Sequence, residues 1–354
     1  MNSVRVRMYR QGLGDCFLLT FTTDAQPVHL LIDCGVLKGT PESKERMLAV
    51  AENVRETTGG RLDVLVATHE HWDHLSGFLQ AQEVFDKLRV ARVWTAWTED
   101  PEDELAKELG IRKAKALHAL AGAQRRLHAA GSKNGKRVSM QLDALLGFNG
   151  ELGAEGRPTT SKALEWVKSR EPADLSFLRP GEEISGLPGM NGVRIYILGP
   201  PHDRRLIKRS DPSKKHPEVY ELAGDMSADL GFMAAAEALD RGESPEEQPF
   251  EDWFRIGEQE ASDHPFFLEH YSSDRDEWRR IEDDWLGVSA RLALQLDSDT
   301  NNTSLVLAFE LGDGGPVLLF PGDAQVGSWL SWEPLEWRIT EGNVTKKVSA
   351  ADLL

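Results

Sequence analysis

Over roughly the first hundred residues, apolar positions switch between a two-residue period and helical spacing. "VRVRMY" (4–9) alternates strictly, while "CFLLTF" (16–21) and "VHLLID" (28–33) are short apolar runs split by the polar turn "TTDAQP". These read as strands. "ESKERMLAVAENVRETTGG" (42–60) has helical spacing and closes on a glycine pair, a stop signal. "LDVLVATH" then reads as a buried strand, "LSGFLQAQEVFDKL" as a helix and "VARVWTAW" as another strand. Strand, loop, helix and strand in succession predict a layered α/β fold.

The pattern breaks at about residue 99. "EDPEDELAKELGIRKAKALHALAGAQRRLHAA" (99–130) is charged and helical, and "GSKNGKR" (131–137) reads as an exposed loop. "VRIYILGPP" (193–201) returns to strand. Residues 202–290 are rich in Asp, Glu, Pro and Trp, with only short helical pieces such as "DLGFMAAAEAL". "TSLVLAFEL", "GDGG" and "PVLLFPGD" (303–323) then spell a hairpin with a glycine turn. The expected organisation is a first half of the core at 1–98, a helical insertion at 99–192 and a core strand at 193–201. An irregular insertion at 202–297 follows, and 298–354 begins the second half of the core.

Composition narrows the partners. With 41 basic and 58 acidic side chains, the net charge is −17, so contact with a polyanion needs a local basic patch. The tracts "RRLIKR", "SKKH", "RKAK" and "SKNGKR" are candidates, and the tryptophans between 328 and 337 could stack on bases. Two cysteines, Cys16 and Cys34, make no disulfide framework and read as buried thiols. The N-terminus lacks an apolar core of signal-peptide length and no stretch approaches ~20 apolar residues, so the expectation is a soluble, cytoplasmic chain without membrane contact.

The chemistry concentrates in "THEHWDH". Of 10 histidines in 354 residues, His69, His71 and His74 fall within six positions, together with Asp73. They follow directly on a buried strand, where a loop can turn neighbouring side chains into one crevice. Imidazole and carboxylate suit zinc, manganese or iron, and three or four such donors match catalytic sites with open positions. A helix cap would account for Asp73 and leave three histidines unexplained.

The segment resembles the HxHxDH signature of the metallo-β-lactamase fold, an αββα sandwich that usually holds two metals. "QGLGDCFLL", "LIDCG", "NNTSLVL" and "LLFPGDA" are, more narrowly, similar to the nuclease domain of ComEC-type competence proteins. That resemblance implies two divalent ions, zinc foremost, with His69 and His71 on the first, Asp73 and His74 on the second, and Asp323 bridging. Asp73 and Asp323 would help position the attacking water. It gives Asp33 an orienting role through hydrogen bonds, compatible with a turn aspartate before Gly35.

Two departures from the family's pattern stand out. Its third-motif histidine has one candidate at a strand end, His202, which also reads as a plain loop histidine. Its fifth-motif histidine has no counterpart after Asp323, so the sandwich is expected to lack its C-terminal strand or strands, with a partner chain able to complete it. The expected function is metal-dependent hydrolysis with an activated water, on a phosphodiester or nucleic acid. A hydrolase of small esters, thioesters or lactones, and a latent subunit awaiting a second chain, are the alternatives.

Overall fold

The computed structural model describes residues 3–22, 26–130, 133–150, 159–171, 174–185, 187–209, 256, 258–271, 286–341 and 344–354. The fold is mixed α/β with several sheets. Strands β1 (Ser3–Met8), β2 (Phe17–Thr22) and β3 (Val28–Ile32) are antiparallel neighbours. A short pair, β4 (Arg61–Leu62) with β6 (Arg89–Val90), flanks β5 (Val64–Val66). Beyond β3 the sheet runs parallel through β5, β7 (Val93–Ala96) and β8 (Leu175–Leu178), giving six strands in the order β1-β2-β3-β5-β7-β8.

A second, antiparallel sheet holds β9 (Glu183–Ser185), β10 (Val193–Gly199), β11 (Val306–Leu311) and β12 (Val317–Phe320) in the order β12-β11-β10-β9. The "GDGG" hairpin is therefore present as β11–β12.

Side-chain alternation stacks these sheets. Leu30 and Ile32, Val64 and Val66, and Trp94 point from the six-stranded sheet into one core with Ile195, Ile197, Leu307 and Phe309 of the four-stranded sheet. Intervening residues Leu31, Leu65 and Val93 point the other way, onto helices Ser43–Thr58, Trp72–Gln80, Gln82–Phe85 and Thr159–Lys168. Strands buried on both faces explain why these stretches read as continuous apolar runs. On the far face of the second sheet, Tyr196 and Val306 pack against Trp337, Ile339 and Val348 of a separate ribbon, β13 (Glu336–Glu341) with β14 (Val344–Ser349).

Contacts divide the chain into residues 1–113, 146–223 and 295–354 as one unit, and 114–145 with 224–294 as another. Both sheets belong to the first unit. The second includes, among the described residues, the short helices Glu258–Asp263 and Pro265–His270.

Several expectations change. Helix Thr159–Lys168 and strands β8 and β9 fall inside the segment read as a helical insertion, yet they build the first unit. These strands are three or four residues long, too short to show a period. The "KNGKR" of the expected loop is the start of helix Lys133–Leu146. Leu142 and Leu146, four apart, are buried there, and that packing outweighs a single glycine, a penalty of about 1 kcal/mol. The irregular insertion ends in a regular helix, Leu286–Asn301. Residues 324–354 contain the β13–β14 ribbon, which joins neither larger sheet. "DLGFMAAAEAL" lies outside the described residues.

Candidate metal centre

The loop after β5 carries His69 and His71, and the helix that begins at Trp72 carries Asp73 and His74 in its first turn. Two glycine-bearing turns press against its backbone. A Cβ on Gly35 would collide with the Asp73 carbonyl and the His74 N–H, and one on Gly14 would meet the same carbonyl. Gly14 also has a φ of +130°, which L side chains rarely adopt. Close approach lets Cys34 N–H donate to His74 O (2.8 Å) and Asp15 N–H to Asp73 O (3.1 Å). The side-chain amide of Gln11 donates to Gly14 O and Gly35 O, tying the two turns together. The "QGLGD" and "DCG" elements thus act as the bed of the histidine loop.

His74 and His69 each have Nδ1 engaged by oxygen and Nε2 turned toward Asp323, while His71 lies against His69. His74 Nδ1 lies 2.8 Å from Asp33 Oδ2, leaving Nε2 3.3 Å from Asp323 Oδ2. His69 Nδ1 faces the hydroxyls of Thr68 (3.1 Å) and Ser304 (3.2 Å), leaving Nε2 4.0 Å from Asp323 Oδ2. His71 Nε2 faces Asp297 Oδ1 at 3.6 Å, and its Nδ1 lies 3.1 Å from His69 Nε2. A hydrogen-bond partner on one ring nitrogen fixes which nitrogen can bind a metal, the usual arrangement around metal-ligating histidines.

The supporting groups come from distant strands. Asp33 follows β3 with a φ of +54°, unusual for a residue with a side chain, and its carboxylate accepts from Thr68 N–H (2.8 Å) and Thr68 Oγ1 (2.6 Å) as well as facing His74. It stands where an orienting residue would. Asp323 follows β12, and its N–H donates to Ser304 Oγ (3.1 Å), the hydroxyl that also faces His69. Ser304 precedes β11, so adjacent strands of the second sheet deliver both groups.

Electrostatics follow from burial. His69 and His71 are pushed well below the usual imidazole range by burial and by neighbouring cations. His74 goes the other way: burial opposes its charge, but bonds to Asp323 and Asp33 outweigh it. Asp323 sits at about 2, because the His74 interaction overcomes desolvation. Burial raises Asp73. It also raises Asp15 to about 6, with further carboxylates adding, and Asp297 to about 7, with Asp73 and Asp323 adding.

Among the sequence-predicted residues, His69, His71 and Asp323 form one group of converging donors, and His74 with Asp323 belongs to another that includes Asp15. Asp73 borders both, facing Asp15 and Asp297 as a charge. His202 belongs to neither group. Its Nε2 lies 2.9 Å from Asp103 Oδ2, and its ring packs on Trp97 at 4.3 Å, so the strand end places it in a separate ion-pair cluster with Arg179. Asp15 and Asp297 were missed by reading the sequence. Asp15 lies inside "QGLGD"; Asp297, in the last turns of Leu286–Asn301, carries no motif signal.

Of the tryptophans offered for stacking, Trp332 and Trp337 are buried and only Trp329 is exposed. A cavity of about 240 Å³ opens beside Asp15 and Asp33, walled by Phe17, Phe320 and Pro321. No described helix is long and apolar enough to cross a membrane. Both cysteines are free and buried. No protein-family profile and no curated protein matches the chain.

The donor set fits a divalent cation. His71 Nε2, Asp73 Oδ1 and Asp297 Oδ1 are buried without a hydrogen-bond partner, and such atoms are rare unless an ion or water satisfies them. Their protonation yields a test. Asp297 holds its proton in the folded, metal-free chain up to about pH 7 and releases it near pH 4 when unfolded. Its contribution to stability is therefore full below about pH 4 and is lost as pH rises through 7. Metal-free Asp297→Asn should gain melting temperature relative to wild type between those limits, then plateau. Thermal melts in chelator across pH 4–8 check this; a pH-independent gap contradicts it.

Proposed function

We propose that the chain is a metal-dependent hydrolase acting on phosphodiesters, built on a metallo-β-lactamase-type αββα sandwich and similar to the nuclease domain of ComEC-type competence proteins. The observation that carries this reading is the convergence of His69, His71, His74 and Asp323 from the ends of two stacked sheets, with His69 and His74 each held at Nδ1 by an oxygen. Divalent ions held there, zinc foremost from the donor set, would supply Lewis acidity that polarises a water and a phosphoryl oxygen.

The chain's own groups do the rest. His69, His71 and Asp323 would hold one ion; His74 and Asp323 would hold the other, with Asp73 bordering it. Asp73 Oδ1, unpartnered, is available to accept a hydrogen bond from the attacking water and so to orient it. Asp33, Thr68 and Ser304 keep the imidazoles aimed. A buried carboxylate ring of this kind, loaded with cations, suits an anionic substrate.

The basic tract at 204–209 favours a phosphodiester over a neutral ester. Lys208 Nζ is enclosed without a hydrogen-bond partner, and burial plus Arg112 and Arg204 lower its pKa. Asn302 fixes that segment by donating to Ile207 O and Arg209 O (3.0 Å each), while its own Oδ1 accepts from Gln325 N–H (3.1 Å). A spare cation is thereby tied to the loop that carries Asp323. The net charge of −17 favours the second reading, a small ester, thioester or lactone substrate.

Single- and double-stranded nucleic acids, a chromogenic phosphodiester and a chromogenic ester, assayed with and without chelator, separate the two. Phosphodiester turnover that chelator stops, metal restores and His71→Ala lowers at least about 100-fold is expected. Turnover of the ester alone rules out the phosphodiester assignment.

A further inference from the structure

We propose that Asp15 is a ligand of the second metal ion, completing the set formed by His74 and Asp323, with Asp73 alongside. This rests on the metal-centre reading above and adds a ligand beyond the histidine cluster and Asp323.

The backbone of Asp15 is fully occupied. Its N–H donates to Asp73 O (3.1 Å) and its carbonyl accepts from Gly35 N–H (3.0 Å). Those bonds hold the turn against the histidine loop and would form with any residue at position 15, so they do not call for a carboxylate. The side chain has a different environment. Its neighbours are the charges of His74, Asp33, Asp323 and Asp73. One carboxylate oxygen of Asp15, one His74 nitrogen and one Asp323 oxygen all lie within 4.8 Å of one another. Donors at about 2.0–2.2 Å from a zinc ion stand at most about 4.4 Å apart. The 3.3 Å between His74 Nε2 and Asp323 Oδ2 is already a ligand-to-ligand spacing, and Asp15 needs only a small adjustment to join.

A second observation points to the same place. Asp73 is 9% exposed, and its Oδ1 has no hydrogen-bond partner. Four carboxylates (Asp15, Asp33, Asp73 and Asp323) thus crowd one imidazole, His74. Buried charge of one sign needs compensation, and a single divalent cation among them provides it. The glycines at 14 and 35 fit this role, since only residues without a Cβ let the Asp15 turn approach the Asp73 backbone so closely.

The experiment counts ions. Full-length protein is stripped with chelator, reloaded with Zn²⁺, freed of excess by gel filtration and analysed for bound metal, with affinities from competition against a chromophoric chelator. Wild type should hold two ions and Asp15→Asn one, with the remaining ion at wild-type affinity and the lost one weakened at least about 100-fold, beyond the 10–100-fold typical of supporting residues. The retained first ion shows that the variant is folded. Should Asp15→Asn yield no folded protein, Asp15→Glu carries the test: a changed second affinity beside an unchanged first supports the ligand, and two unchanged affinities overturn it. Two ions at wild-type affinity in Asp15→Asn likewise overturn it while leaving the metal centre intact. Wild type that takes up one ion or none defeats the two-metal reading, and this assignment with it.

Discussion

Asp323→Ala should strip both ions from the protein and abolish hydrolysis while barely altering the fold of the metal-free chain. Asp323 is the one residue common to both groups of converging donors, with Oδ2 3.3 Å from His74 Nε2 and 4.0 Å from His69 Nε2. Removing a supporting residue typically lowers metal affinity 10–100-fold; loss of a carboxylate shared by both donor groups should exceed that for each ion. The fold should survive because the side chain is 38% exposed and the bond that anchors the loop runs from the backbone N–H to Ser304, which alanine keeps. Loss of the ion pair with buried His74 should cost the metal-free form about 1–3 kcal/mol without unfolding it. Metal content, turnover and a chelator-treated melt read this out together. Retention of both ions would remove Asp323 from the centre.

Gly35→Ala should do the opposite, damaging the fold and the site through one methyl group. The added Cβ would sit on the Asp73 carbonyl and the His74 N–H, both backbone atoms at the start of a buried helix, so no side chain can swing aside. Overpacking in a tight core costs about 1–3 kcal/mol when side chains can adjust. Here the backbone itself must move, and a loss of about 3 kcal/mol or more is expected. That shift would also stretch the Cys34 N–H to His74 O bond and turn His74 from Asp33. Denaturant melts give the first effect and metal titration the second. Wild-type stability in Gly35→Ala would mean the turn can retreat without consequence.

Much of this arrangement could be read from the sequence because it is local. His69, His71, Asp73 and His74 share one strand-to-helix turn, and the strands around them are apolar on both faces, so pattern alone places them. Asp33 and Asp323 were legible through the short motifs "LIDCG" and "LLFPGDA". Asp297 was not, since its side chain reaches the site by the last turns of a helix whose apolar spacing, Leu292, Ala293 and Leu296, speaks only of packing. Asp15 was hidden for another reason: a carboxylate beside glycines reads as a turn, and only the stacking of that turn on Asp73 gives it a partner. His202 misled because a strand end is where ligands usually gather, whereas its nearest acid, Asp103, lies elsewhere in the chain.

Glu70 lies within the histidine loop but belongs to neither group of converging donors. It receives Lys113 Nζ at 3.0 Å and the hydroxyls of Ser161 (2.6 Å) and Thr160 (3.1 Å), so the loop is bolted to helices Glu104–Ala130 and Thr159–Lys168. Helix Thr159–Lys168 is itself seated in the core through Ala163, Leu164 and Val167. The entropy of gathering the imidazoles is therefore spent when the chain folds, not when the ion arrives, in contrast to small zinc modules that collapse only around their metal. On the metal-centre proposal, the pocket would behave as a socket: an ion bound there could be withdrawn or exchanged for one of similar radius while the walls stay standing.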